Sequence, residues 1–493
     1  MRVLLLAMPN TAFFFHLFAT LPNLGICSIA GNIAEEHEVE IADLVLIRRN
    51  FRKFLETRIS KHTPDIVGLS SMSFQCRTAR YIARVIKNLD PEIKVALGGY
   101  HASMMPEEVG RSWGADIDYI IKGEGEYTFR ELLNALNNDS TKLREVPGLS
   151  FRKNGEFVHN PRRPIVDLTT LNLPNRSARL LKEGFHICDL KADVIETSRG
   201  CTYNCKFCSI NKMYGRALRK YNITRVLDDI ERCKKNGTKA IFFADDNITL
   251  DSGHFIDLCE GIVERELNDI HYTTQAHVGG LYNQKLINKA IDANFKAFFL
   301  GIENPDPEKL QKIGKSVKKM AYKAESVVSQ LRSKGAIVLG GFIVGNPDDD
   351  AKDFNNILSY AKQIKVDAPI FFILTPYPGT RIRENLLDKN LVTNSDDFSK
   401  YDALTANIKT NYLSRNEVEI LTESLYDKFM DFDWFLNTNI RRVYPWYFIK
   451  IFTRFIPRLL RKGFYKITDV KNYHEYLLEE IVLLKKEFRE LQR

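Results

Sequence analysis

Cysteine is scarce in this chain, with eight in 493 residues, too few for a disulfide scaffold. Three of the eight crowd together as Cys201, Cys205 and Cys208, and such spacing in a long, Cys-poor chain reads as metal binding. Long apolar runs are missing too: no stretch reaches about 18 uncharged apolar residues, so a spanning helix is not expected. The opening apolar run before Pro9 is too short for a secretory segment and reads as a buried strand. Together these absences point to a cytoplasmic protein. Internal repeats and low-complexity tracts are also lacking. What is present is ordinary globular composition, 44% hydrophobic and 27% charged, which excludes a disordered or fibrous chain. The length suggests two to four domains.

Over residues 1–140, short apolar strands (Val3–Met8, Glu38–Leu44, Ile66–Ser70, Lys94–Leu97, Ile117–Ile121) alternate with helical patterns. That alternation predicts a doubly wound parallel α/β sheet, with ligands at the carboxyl ends of its strands. Residues 141–190 are Pro-rich and read as a linker holding a small hairpin around Lys153-Asn154-Gly155. Six strand–helix units follow over 191–384 and predict a partial (β/α)6 TIM-like barrel. From about 385 to 493 the chain reads as a helical C-terminal region without strands.

Cys201, Cys205 and Cys208 follow the first barrel strand with Cys-x3-Cys-x2-Cys spacing. Three thiolates can hold three irons of a 4Fe–4S cluster and leave the fourth open. A zinc site would want a fourth ligand, for which Cys188 is the one candidate. The other four, Cys27, Cys76, Cys233 and Cys259, read as buried small hydrophobes.

This loop resembles that of the radical S-adenosylmethionine (SAM) superfamily, and the resemblance covers roughly residues 190–380. It implies that SAM chelates the open iron and is cleaved to a 5′-deoxyadenosyl radical. It further implies SAM contacts at Phe207, at Asp245 and Asp246 of Phe243–Asn247, at Gln275 and at Glu303. Gly341 and Gly345 on the fifth strand, and Pro376 of Thr375–Thr380, complete the expected set.

The N-terminal pattern resembles the Rossmann-like cobalamin-binding domain that precedes the barrel in one subgroup. The implied cobalamin contacts are Leu24, Gly25, Ser70, Ser71, Ser73, Phe74, Gly98, Gly99, Tyr100, His101, Gly123 and Glu124. The Asp-x-His-x-x-Gly motif of many cobalamin domains is absent. Around His16 its Asp and Gly positions hold Phe14 and Ala19, so cobalamin is expected without a protein His ligand.

These resemblances imply a cobalamin-dependent radical SAM methyltransferase that methylates an unactivated carbon. An oxidative cyclase of the Mg-protoporphyrin monomethyl ester type, or a rearranging enzyme, is the alternative. A non-catalytic corrinoid sensor has no use for an open-site cluster. An RNA methylthiotransferase would need three N-terminal cysteines, where only Cys27 and Cys76 lie. The expected partners are a small-molecule or lipid-like substrate and an electron donor such as flavodoxin or ferredoxin.

The formal charge is +9, yet residues 441–466 carry eight basic and no acidic side chains, which leaves +1 for the rest. No nucleic-acid footprint is therefore expected. The basic residues alternate with aromatics such as Trp446, Phe448 and Phe452. That pattern suits either a membrane surface or a helix packed on the barrel.

Overall fold

The computed structural model describes residues 1–11, 18–315 and 320–450. His16 and residues 451–466 of the basic segment lie outside the described residues. Strand β1 (Arg2–Ala7) buries Leu4, Leu5 and Leu6 almost completely. A strand apolar on both faces belongs in the middle of a covered parallel sheet. There it pairs with β2 (Glu38–Asp43) and β3 (Ile66–Ser70), and the sheet continues through β4 (Lys94–Gly98) and β5 (Tyr119–Ile121). Helices α1 (Leu24–Gly31) and α4 (Gly125–Asn138) cover one face, and α2 (Phe51–His62) and α3 (Cys76–Leu89) the other. The expected hairpin forms as β6 (Leu149–Lys153) and β7 (Glu156–His159). It does not stand apart in a linker, because β6 pairs antiparallel with β5 and extends the first sheet at its edge.

The second sheet is the partial barrel: β8 (Leu190–Ile195), β9 (Ala240–Phe243), β10 (His271–Ala276), β11 (Phe295–Glu303), β12 (Ile337–Val344) and β13 (Ala368–Ile373), all parallel and in sequence order. Its open edge at β8 carries the short strand His186–Ile187 and, beyond it, Ala19–Thr20 from the N-terminal region. Cys27, Cys76, Cys233 and Cys259 are all buried.

Residues 389–414, expected to be helical, are irregular apart from a short turn at 398–400 and an antiparallel bridge between Val392 and Ile408. Asp and Asn side chains hold the backbone there instead. Asp397 accepts from Ser399 N, Asp402 from Leu404 N and Thr405 N, and Asn407 donates to the Lys400 carbonyl. Such local bonds compete with a helix. Phe398 and Tyr401 from this stretch pack into the core of the first domain. Helix α5 (Arg415–Phe429) then starts on a capping box formed by Ser414 and Glu417.

Candidate active site

The three cysteines lie half-buried on the loop after β8, with no disulfide among them. Neighbours pin that loop from outside. Lys206 N donates to the Ile313 carbonyl at 2.9 Å, and Ile382 N donates to the Lys206 carbonyl at 3.1 Å. Gly200 opens the loop at φ +90°, where an added Cβ would lie 2.2 Å from the Ala217 carbonyl oxygen. Burial pushes the Cys205 thiol up to about 11 and the Cys208 thiol up to about 12. As free thiols they stay protonated at neutral pH, and binding to iron is what would ionise them. Cys188 sits before β8, at the opposite end of the barrel strands, so it is no fourth ligand.

The carboxyl ends of the barrel strands surround this loop. Asp246, after β9, accepts from Gly200 N at 2.8 Å, and burial pushes its carboxyl up to about 6. Asp245 is different and corrects its expected role. It is fully buried and accepts from Thr197 N, Thr197 Oγ1 and Ser198 Oγ at 2.6–3.0 Å, which seals it away from any ligand. Gln275 and Glu303 line the barrel interior together with Phe207. Glu303 sits at a bulge with φ +68° and accepts from Lys315 Nζ at 2.7 Å, and Lys315 also donates to the Gly301 carbonyl. Lys315 went unnoticed in the sequence, since nothing in its local spacing ties it to Glu303. Three further expected SAM contacts have close protein neighbours. The Phe299 ring fills the space over Gly341, Gly345 faces Ile408 and Val418, and Pro376 is buried with its carbonyl bonded to Arg383.

In the first domain the expected residues do cluster at the strand ends, but four are turned to other uses. His101 is 1% exposed between the Trp113 and Phe398 rings, and burial pushes it down to about 4. Ser71 donates its hydroxyl to the Met72 carbonyl. Gly99, at φ +90°, lies so close to Ser71 that a Cβ would reach 2.6 Å from its carbonyl oxygen, so it joins two loops. Glu124 accepts from Arg199 Nη1 and Arg219 Nη1, each at 2.9 Å. Ser73 is buried, while Gly25 is exposed at the start of α1 beside Leu24. Around Gly98 and Gly123 a Cβ would meet nothing nearer than 3.7 Å, and Gly98 lies opposite Ser70 in the sheet.

The two sets of strand ends meet. Arg199, beside the cluster loop, donates to Glu124, Glu126 and Glu196 at 2.6–2.9 Å, and Ser28 donates to Glu126 at 2.7 Å. Burial opposes ionisation of Glu126, but Arg199 overrides it and holds the carboxyl below its usual range. Tyr100 stands edge-on to Tyr214 at 6.5 Å, and burial pushes its hydroxyl well above the usual phenol range. Residues of both domains thus meet beside the cysteine loop.

Residues 13–133 match the B12 binding domain family, and residues 195–361 match the Radical SAM superfamily. An uncharacterized methyltransferase of Pyrococcus horikoshii is 30% identical over 432 residues, covering 87% of this chain and 92% of the relative. The anaerobic magnesium-protoporphyrin IX monomethyl ester cyclase of Rubrivivax gelatinosus is 26% identical, covering 76% and 67%. The fold is similar to that of the radical SAM methyltransferase TsrM from Kitasatospora setae, solved with cobalamin and a [4Fe–4S] cluster. The TM-score is 0.66 at 18% identity over 80% of this chain and 76% of that one. With the cysteine loop, the facing strand ends and both family matches in order along it, the chain belongs to the radical SAM superfamily, in the branch that joins a B12-binding domain to the radical SAM barrel.

Proposed function

We propose that this radical SAM enzyme methylates an unactivated carbon of a small molecule, with a 4Fe–4S cluster, SAM and cobalamin as its cofactors. The observation that carries the reading is the meeting of the strand ends, where Tyr100 and Glu124 of one domain reach Tyr214 and Arg199 of the other. When bound, the three cofactors supply hydrogen abstraction and the methyl group. Three thiols on one pinned loop fit a cluster with one iron left open. Asp246 keeps one oxygen for an ammonium, with Gln275 and Glu303 placed for the carboxylate or ribose and Phe207 for the adenine. Ser70, Phe74, Gly98, Tyr100 and Gly123 border the place for the corrin. Cobalamin bound without a protein His ligand is part of the same proposal; His101, 1% exposed between the Trp113 and Phe398 rings, stays in the core of the first domain. A flavodoxin or ferredoxin would supply the electron.

Anaerobic reconstitution tests this reading. About one cobalt and about four iron per chain are expected, with S-adenosylhomocysteine and methylated product formed on turnover. 5′-Deoxyadenosine without S-adenosylhomocysteine would instead favour a cyclase, the reading supported by the similarity to the Rubrivivax enzyme. Replacing Cys201, Cys205 and Cys208 together with Ala is expected to abolish both iron binding and SAM cleavage; cleavage that survived would sink the assignment.

Peripheral membrane contact through 441–466 is part of the same proposal. Trp446 is 82% exposed and Ile449 is exposed beside it, close in sequence to Arg441, Arg442 and Lys450.

A further inference from the structure

The inside of the barrel is hollow where such barrels are ordinarily filled by bulky branched residues. Ala192, Ala240, Ala297 and Ala368 occupy the amino-terminal ends of four of its strands. A cavity of about 400 Å³ runs from Phe207 and Glu303, beside the cysteine loop, to Ala297, Ile337 and Tyr444 at the amino-terminal end of the strands. That size is within the range of small-molecule sites. From Ile343 to Ile337 its wall follows six residues of extended strand, about 20 Å. The far end is closed by the C-terminal segment, with Ile440, Tyr444, Tyr447 and Phe448 packed in one cluster with the four alanines. Lys450 fastens that segment to Asp189 at 2.7 Å.

The wall is almost wholly apolar, with Phe242, Phe299 and Phe372 facing inward. Among the described residues no Lys, Arg or His lines it. Of its two acids, Glu303 is paired with Lys315, and Asp402 accepts from Leu404 N and Thr405 N. Two hydroxyls break the pattern at the closed end. Thr273 Oγ1 and Tyr444 Oη line the cavity, belong to residues only 7% and 6% exposed, and have no hydrogen-bond partner. Buried polar groups are nearly always paired, so two orphans in one dry pocket call for a ligand atom.

We propose that the cavity takes the hydrocarbon body of the substrate, a neutral elongated molecule with one hydrogen-bonding oxygen at the end remote from the reacting carbon. Thr273 and Tyr444 hold that oxygen, and the reacting carbon lies at the Phe207 end; only this placement rests on the methyltransferase reading. An anionic group is disfavoured at the closed end, because it would be stripped of water with no cation among the described lining residues to meet it.

Equilibrium dialysis of the full chain with radiolabelled 1-dodecanol, dodecane and dodecanoate tests the proposal without turnover. One 1-dodecanol per chain is expected, bound about ten-fold more tightly than either of the others. The near-isosteric double variant Thr273→Val/Tyr444→Phe removes only unpaired hydroxyls and should fold with an unchanged or raised Tm. In it the preference for 1-dodecanol over dodecane should vanish while dodecane binding persists. Three results would each overturn the proposal: no 1-dodecanol bound, dodecanoate bound as tightly, or an unchanged preference in the variant. Loss of SAM cleavage with 1-dodecanol binding intact would defeat the methyltransferase reading and leave this one standing.

Discussion

Asp245 and Asp246 are neighbours in sequence, and burial raises both to about 6, yet their surroundings give them separate jobs. Asp245 meets three donors from Thr197 and Ser198 and holds the strand end in place. Asp246 accepts one bond, from Gly200 N. Its raised pKa means that the carboxylate is present above about pH 6 and lost as pH falls through that value. SAM affinity of the reconstituted enzyme should therefore drop below pH 6. Asp246→Asn should weaken binding about ten-fold at neutral pH, as for loss of a charge-assisted bond, and flatten that pH dependence in dialysis. Gly200 gives a second forecast at this scale. Ala at φ +90°, with its Cβ 2.2 Å from a carbonyl oxygen, forces the cysteine loop to move. Gly200→Ala should lower iron content per chain sharply and cost on the order of 1–3 kcal/mol of stability.

At the level of elements, the cysteine loop owes its place to side chains from elsewhere. Arg199 is enclosed by Glu124, Glu126 and Glu196, the first two from the first domain. Removing one partner of a buried ion network leaves the others charged and unpaired, which costs more than the network itself contributes. Arg199→Met should destabilise the chain by about 3–5 kcal/mol, read as a lower urea midpoint, and should release cobalamin from the reconstituted enzyme. A second network joins the segment before the barrel to it. Arg176 bonds Asp229 and Asp193, and Arg179 bonds Asp193, all buried. The expected linker over 141–190 is thus tied to the barrel by charge and to the first sheet by backbone bonds to Ile41, which its proline content did not reveal. Its strands were readable, because a turn at Lys153–Gly155 between two short apolar runs is a local signal. That β6 would pair with β5 depended on a sheet edge nearly thirty residues away.

Across the whole molecule, the basic C-terminal segment turns out to have two faces where it is described. Tyr444, Tyr447 and Phe448 are buried against the end of the barrel, while Trp446 and Ile449 face outward. Packing and surface contact, weighed as alternatives in the sequence, are therefore compatible, and Phe448 belongs to the packed face. Trp446→Ser/Ile449→Ser should reduce co-sedimentation with anionic liposomes by several-fold and leave Tm nearly unchanged, since both side chains are exposed. Co-sedimentation equal to that of the unaltered chain would remove the membrane proposal. Among the described residues no helix is long and apolar enough to cross a membrane.

What the chain's order alone determined is whatever depends on near neighbours. Three cysteines within eight residues must share one loop, and strand periods flanked by helical ones dictate a parallel sheet and a barrel. Only the tertiary structure decided which polar groups stay free for ligands. Glu124 and Arg199 are 75 residues apart, and Asp245 finds its partners 47 and 48 residues away. A carboxylate reads the same in sequence whether three donors or none await it. The hollow barrel is likewise collective: each small residue is unremarkable alone, and packing gathers four alanines into one cluster at the strand ends, where the C-terminal segment closes the cavity that Ala297 and Tyr444 line.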